Sequence, residues 1–168
     1  NMVIDSPNSN IMVYMYLGSQ VAFKKIRHTD IGNTGGVLSK GYYLSRSMAT
    51  LFEEVSMGGS ISSYIGFYIA EDSDATTFSH CYMKSDGVNC YNTVELTGGT
   101  AHVAHVNTTI QDCIIGAGTN AAVAVATNAD ANCINFTNNY FETGNNALLL
   151  GNAAGNFKAR QIRIEGNY

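Results

Sequence analysis

Short triplets with an apolar residue on either side of one free position recur along the chain. The apolar pairs are Met15/Leu17, Tyr42/Leu44, Phe67/Ile69, Val94/Leu96, Val123/Val125 and Leu148/Leu150, spaced 27, 25, 27, 29 and 25 residues apart. Period-2 alternation over so short a span predicts half-buried β-strands. A second block interleaves with the first: apolar, two variable, one small or polar, one variable, apolar. It reads Phe78-Ser-His-Cys81-Tyr-Met83, Ile110-Gln-Asp-Cys113-Ile-Ile115 and Phe136-Thr-Asn-Asn139-Tyr-Phe141, with Ile164-Glu-Gly-Asn167-Tyr168 at the end of the sequence. Ile26-Arg-His-Thr29-Asp-Ile31 and Val55-Ser-Met-Gly58 extend it towards the N-terminus.

The block anchors 26, 55, 78, 110, 136 and 164 lie 29, 23, 32, 26 and 28 residues apart, so both series share a period of about 27. A unit of that length, holding short strands and Gly/Asn-rich turns, cannot bury an apolar face alone; stacking unit on unit buries a continuous interior. The expected fold is all-β: a right-handed, single-stranded parallel β-helix of about six coils of about 27 residues, with parallel crossovers setting the hand. Rungs roughly 4.8 Å apart would give a rod of roughly 29 Å. Residues 1–168 read as one segment, with 1–22 as the entering coil or cap and 23–168 as regular coils. Because the pattern is still running at Tyr168, the expectation is an excised part of a longer β-helix, or an end that a partner covers.

Stacking assigns residues to columns. The small or polar position of the block reads Thr29, Gly58, Cys81, Cys113, Asn139, Asn167. Cys81 over Cys113 is expected as an interior stack of small apolar groups. Asn139 over Asn167 is expected as an amide ladder. The free position of the triplets faces outward and reads Tyr16, Tyr43, Tyr68, Glu95, Ala124, Leu149; a third outward ladder reads Lys25, Thr77, Thr109, Asn135, Arg163.

Composition narrows the chemistry. Only 13% of residues are charged, the net charge is −4, and Gly (17) far outnumbers Pro (1). A mildly acidic chain lacks the basic footprint that nucleic acid requires. No apolar run approaches the roughly 18 residues of a membrane-spanning helix, so no membrane insertion is expected. The N-terminal residues carry no export signal. Cys81, Cys90, Cys113 and Cys133 contain no CxxC pair, which argues against zinc, and no other cofactor motif is present.

Three segments carry a family likeness: Asn138-Asn139-Tyr140-Phe141-Glu142, Gly144-Asn145-Asn146-Ala147-Leu148-Leu149-Leu150 and Ile162-Arg163-Ile164-Glu165-Gly166-Asn167-Tyr168. Their coil grammar resembles the right-handed β-helix of pectate-lyase-like proteins, and among these it is most similar to bacteriophage tailspikes and capsular depolymerases. The likeness covers roughly residues 23–168. It implies a homotrimer on the virion tail or outside the cell, associated with other virion proteins, that binds and often cleaves bacterial surface polysaccharide. The Asp-rich calcium site and catalytic Arg of true pectate lyases are not recognisable, so the likeness does not extend to pectate-type β-elimination.

The residues themselves offer one candidate site. Tyr16, Tyr43 and Tyr68 stacked on one face would present rings to the C–H surface of a sugar and hydroxyls to its hydroxyls. Glu95 continues that column. Glu71, Asp72 and Asp74 follow the equivalent strand one coil earlier and could supply the second carboxylate of a glycosidase, with like-charge repulsion raising one pKa. His102 and His105, three apart on a strand, would face opposite sides and share no metal; one could act as a base in a lyase mechanism. Asp86 is a weaker acid candidate. The competing readings are a non-catalytic shaft or receptor-binding module of a viral fibre, and a secreted polysaccharide lyase or epimerase.

Overall fold

The structure, a computed structural model, describes residues 2–6, 11–31, 39–57, 64–83, 90–97, 104–116, 120–125, 130–142, 146–151 and 158–168. These form an all-β parallel solenoid, a β-helix, in which every strand pairing is parallel. Three sheets of six strands run the length of the described chain. The first is built from Met2–Ser6, Ile26–Ile31, Ser56–Met57, Tyr82–Met83, Ile114–Gly116 and Tyr140–Glu142. The second comprises Ile11–Tyr16, Ser39–Ser45, Tyr64–Ala70, Cys90–Thr97, Ala121–Val125 and Asn146–Leu150. The third comprises Ala22–Lys24, Leu51–Glu53, Thr77–Ser79, Thr109–Gln111, Asn135–Thr137 and Arg163–Glu165. In the C-terminal half a fourth sheet of three strands appears, Ala104–Val106, Asp130–Asn132 and Lys158–Arg160.

Alternation along the strands fills the interior. Val13, Tyr42, Phe67, Val94, Val123 and Leu148 form one inward column of the second sheet, and Met15, Leu44, Ile69, Leu96, Val125 and Leu150 form the next. Against them lies the third sheet's column Phe23, Phe52, Phe78, Ile110, Phe136, Ile164. Phe23, Phe52 and Phe78 stack with ring centroids 5.0 and 4.9 Å apart, at interplanar angles of 10° and 9°. Tyr42 stacks on Phe67 at 5.1 Å and 4°, and the two stacks meet edge to face. The rung spacing of a sheet, roughly 4.8 Å, is itself close to a favourable ring separation, so a parallel column of aromatics stacks without adjustment.

Two sharp corners recur in every coil, each made by one residue in the left-handed region. Between the third and first sheets these are Lys25, Glu54, His80, Asp112, Asn138 and Gly166, with φ between 52° and 62°. Ahead of the third sheet they are Gln20, Ala49, Ala75, Asn107, Cys133 and Gln161, with φ from 52° to 57°. Their amides continue the interstrand ladder around the bend: Lys25 N–H donates to Glu53 O, Glu54 to Ser79 O, Asp112 to Thr137 O and Asn138 to Glu165 O, at 2.9–3.1 Å. Those coil-to-coil bonds offset the roughly 1–2 kcal/mol that a left-handed conformation costs an ordinary L-residue.

Just past the first of these corners runs the expected interior ladder. Cys113 N–H donates to Asn139 Oδ1 at 3.0 Å, and Asn139 N–H to Asn167 Oδ1 at 2.9 Å. Asn139 Nδ2 donates to Ile110 O at 2.8 Å, and Asn167 Nδ2 to Phe136 O at 2.9 Å. Cys81 and Cys113 continue the column as buried free thiols, with Cys81 N–H donating to Cys113 Sγ at 3.4 Å. The hydrogen bond with Cys81 and, after it, burial push the Cys113 thiol up, so it stays protonated as a small core group.

Near the N-terminus the register differs from the expected one. Phe23 and Phe52, rather than Ile26 and Val55, occupy the Phe78 column. Ile26 and Val55 drop three places and take the position expected for Thr29 and Gly58. The block tolerates that slip because Ile26 and Val55 are apolar and buried, so they satisfy its first position as well as its fourth. Thr29 lies on within the strand Ile26–Ile31, and Gly58 lies outside the described residues. Likewise Ala22 and Leu51, not Lys25, stand in the Thr77 ladder, while Lys25 forms a corner.

Candidate functional site

The outward column of the second sheet is where the sequence places stacked tyrosines in line with an acid. The structure pairs Tyr43 with Tyr68, Tyr68 with Glu95, Glu95 with Ala124 and Ala124 with Leu149. Its first member is Tyr14 and not Tyr16, because Tyr14 pairs with Tyr43 and Tyr16 with Ser45. The two-residue slip has a local cause. Leu17 is a corner residue with φ of 54°, largely exposed, so Val13/Met15 is the inward pair of the first coil instead of Met15/Leu17. In the run Ile11–Tyr16 every residue is apolar or aromatic, so alternation cannot fix the register.

Tyr14, Tyr43 and Tyr68 pack edge to face, with centroids 5.0 Å apart at both steps and interplanar angles of 61° and 83°. Tyr14 is 58% exposed, and Tyr43 and Tyr68 are half-buried. Lys40 lies over this ladder, its Nζ 4.8 Å from the Tyr68 ring centre and 5.8 Å from that of Tyr43. Lys40 and Tyr43 stand three positions apart, as do Asn92 and Glu95, yet each pair meets on one side. The chain breaks alternation between them by burying two consecutive residues, Gly41 with Tyr42 and Thr93 with Val94. Gly66 occupies the same step one coil from Thr93. A Cβ there would lie 2.6 Å from Thr93 O and 3.0 Å from Met57 Sδ, so only glycine fits without displacing them.

Glu95 is half-buried and hydrogen-bonded. Asn92 Nδ2 donates to Glu95 Oε2 at 2.7 Å, and Asn120 Nδ2 donates to Asn92 Oδ1 at 2.9 Å. Burial holds the Glu95 carboxyl above its ordinary range, partly opposed by the Asn92 bond and the Lys40 charge. The expected like-charge repulsion from Glu71, Asp72 and Asp74 is not among the causes of that rise. Burial also raises the Tyr68 hydroxyl, and the Glu95 and Glu71 charges add to it against a hydrogen bond shared with Thr97.

Glu71 sits at the next corner, with φ of 45°. Its Oε2 accepts from Ser45 Oγ at 3.2 Å and lies 3.3 Å from Arg46 Nε. Arg46 Nη1 donates to Tyr16 Oη at 3.2 Å, and the guanidinium lies 5.8 Å from the Tyr16 ring centre. Tyr16 thus belongs to the Arg46–Glu71 cluster beside the ladder. Asp72 is a second left-handed residue, and Asp74 bridges to Met48 on the far side of that corner. The sequence reading missed Tyr14, Lys40, Asn92, Arg46 and Asn120. Lys40 and Asn92 carried a usable signal: each stands three residues before the outward position of its own coil.

His105 falls in the strand Ala104–Val106 and pairs with Ala131; His102 and Asp86 lie outside the described residues. Among the described residues, no group of three or more His, Cys, Asp or Glu side chains is placed to hold a metal ion. No helix among them is long and apolar enough to cross a membrane. No protein-family model matches the chain, and no curated protein or solved structure matches it either.

Proposed function

We propose that this β-helix recognises a bacterial surface polysaccharide along the Tyr14–Tyr43–Tyr68–Glu95 column and cleaves it with Glu95 as the acid, as part of a tailspike-like depolymerase of the pectate-lyase-like type. The observation that carries the reading is the column itself: three tyrosines in consecutive coils leading to a half-buried carboxyl that burial holds above its ordinary range. Ring faces and edges suit the C–H surfaces of pyranoses, the tyrosine hydroxyls add polar groups that can fix orientation, and the buried Asn92 amide holds the Glu95 carboxyl in place. A carboxyl whose proton is held more tightly than that of a free glutamate is better suited to protonate a glycosidic oxygen. Glu71, whose charge also reaches the Tyr68 hydroxyl, is the second carboxylate in this reading, with Asp72 and Asp74 following it in the chain. In this reading the active form is a homotrimer on the virion tail.

A specific observation favours the non-catalytic alternative. The column continues as Ala124 and Leu149, with no second carboxylate in line, as a structural shaft would have it. The two readings separate in one experiment. The protein is incubated with a panel of neutral and uronate-containing capsular and O-antigen polysaccharides. New reducing ends report hydrolysis, and the ultraviolet absorbance of unsaturated uronate reports elimination. On the depolymerase reading Glu95→Gln lowers turnover by at least about tenfold while binding persists. Binding that weakens in Tyr43→Ala and Tyr68→Ala, with no turnover by the wild type, would establish the binding module instead. Absence of binding across the panel would overturn both glycan readings and leave the structural shaft.

A further inference from the structure

The tyrosine column is flanked by two cations, and each is matched by a carboxylate. Lys40 lies over Tyr68, and its charge favours the ionised form of Glu95. Arg46 is held more elaborately. Its backbone N–H donates to Glu71 O at 2.9 Å, and Glu71 N–H donates in turn to Thr97 O at 3.1 Å, so the ladder fixes both corner residues. The Arg46 side chain then spans Tyr16 on one side and Glu71 on the other. Arg46 Nε is buried 3.3 Å from the carboxylate without an aligned hydrogen bond, while the rest of the side chain keeps 34% of its surface exposed and presents its terminal N–H groups outward. A guanidinium in this position has donors left over for a planar anion such as a sugar carboxylate. Glu71 stands in the way of that use. It neutralises Arg46 and places a negative charge where an incoming uronate would come to rest.

We infer that Glu71 determines the charge preference of this face: by occupying Arg46 it makes the column selective for uncharged sugars over uronate-bearing ones. This rests on the reading of the face as a glycan site. A like charge at the point of contact is an ordinary device for rejecting the wrong ligand, and removing it exposes the attractive partner beneath. Glu71→Gln keeps the side-chain volume and an oxygen to accept from Ser45 Oγ, deletes the charge, and leaves Arg46 seated on Tyr16.

The test is binding, read as the ratio of affinities for a uronate-containing and a neutral bacterial polysaccharide, each immobilised and titrated with the full protein at low and at high salt. Glu71→Gln is expected to raise the uronate-to-neutral ratio by about fivefold, near the upper end of what one partly exposed ion pair supplies. The gain should vanish in about 1 M salt, where exposed charges are screened within a few ångströms. Adding Arg46→Gln to Glu71→Gln should return the ratio to the wild-type value. Arg46→Ala alone, which leaves Glu71 charged, should shift the ratio the opposite way and tests the idea independently of how well Glu71→Gln folds. If neutral glycan binds but neither variant moves the ratio, Glu71 is not the determinant. If the wild type binds neither glycan, the reading of the face itself has failed.

Discussion

Tyr42 and Tyr43 are adjacent in the chain and stand on opposite sides of the same wall. Tyr42 is fully buried, stacked flat on Phe67 and edge-on to Phe23 and Phe52. Tyr43 faces outward and meets Tyr14 and Tyr68 by their edges. The rung spacing is the same for both columns, so the backbone does not cause the difference. Inside, rings are confined between sheets and lie parallel to fill space. Outside, with solvent on one side, they tilt and leave ring surface open. The inner column is bound by packing and the outer one is not, so only the outer residues are at liberty to serve a ligand.

The sharpest way to break that contrast is to delete one ring from each column. Phe52 is fully buried and touches Phe23, Tyr42, Phe67 and Phe78. Phe52→Ala should cost about 3–5 kcal/mol in urea unfolding, combining lost burial with the cavity left behind. Tyr43→Ala should cost less than about 1 kcal/mol, since it loses only edge contacts and the Lys40 interaction. Equal costs would mean that the outer ladder is structural.

A second cut lies within the interior ladder. Asn139 is fully buried, accepts from Cys113 N–H and donates to Ile110 O. Asn139→Ala strands a buried donor as well as opening space, and should cost about 3 kcal/mol. Asn138→Ala, one residue earlier at an exposed corner, should cost only about 1 kcal/mol, chiefly because Asn tolerates the left-handed conformation better than Ala. Comparing unfolding midpoints of the two variants separates ladder from corner.

These contrasts also explain what could be read from the chain beforehand. The inner columns repeat because each inward position must be apolar, so the period, the parallel stacking and the Cys81–Cys113–Asn139–Asn167 ladder were all legible. Near the N-terminus the same rule failed. Ile26 and Val55 mimic the block's anchor, and the apolar run from Ile11 to Tyr16 hides which residues face in, which misplaced Tyr16 for Tyr14. The corners were illegible for another reason. Lys25, Glu54, His80 and Ala49 are not turn formers, and their left-handed backbone is held by ladder bonds to the next coil rather than by their own preference. The Glu71–Arg46 pair joins residues of adjacent coils, a contact that periodicity alone does not show.

The corners give a reciprocal pair of smaller effects. Gly166 has φ of 62°, and a Cβ there would collide with the Asn138 side chain, so Gly166→Ala should lose about 1–2 kcal/mol. Ala75, with φ of 52°, already bears that strain. Ala75→Gly should gain about 0.5 kcal/mol, the relief being partly offset by the greater freedom of glycine in the unfolded chain. Thermal midpoints moving in opposite directions would show that the corners are strained and held by the ladder. Midpoints that both fall would show that the Ala75 side chain contributes packing which outweighs its strain.

The smallest effect tests the outer column through its own half-buried member. Burial raises the Glu95 carboxyl in the folded chain, so the native state binds that proton more tightly than the unfolded state, where a glutamate titrates near 4.3. The linkage sign follows: this group's contribution is most favourable below the unfolded value, declines as pH rises through the interval up to the raised folded value, and is flat above it. Glu95→Gln cannot ionise and can still accept from Asn92 Nδ2. It should remove that decline and leave the protein slightly more stable at neutral pH. The measurement is urea unfolding of both proteins at intervals between about pH 4 and pH 8, where the difference between them should open as pH rises. A constant difference would mean that Glu95 is ordinary surface carboxylate, and the outer column would then lack the tightly held proton on which the proposed cleavage depends.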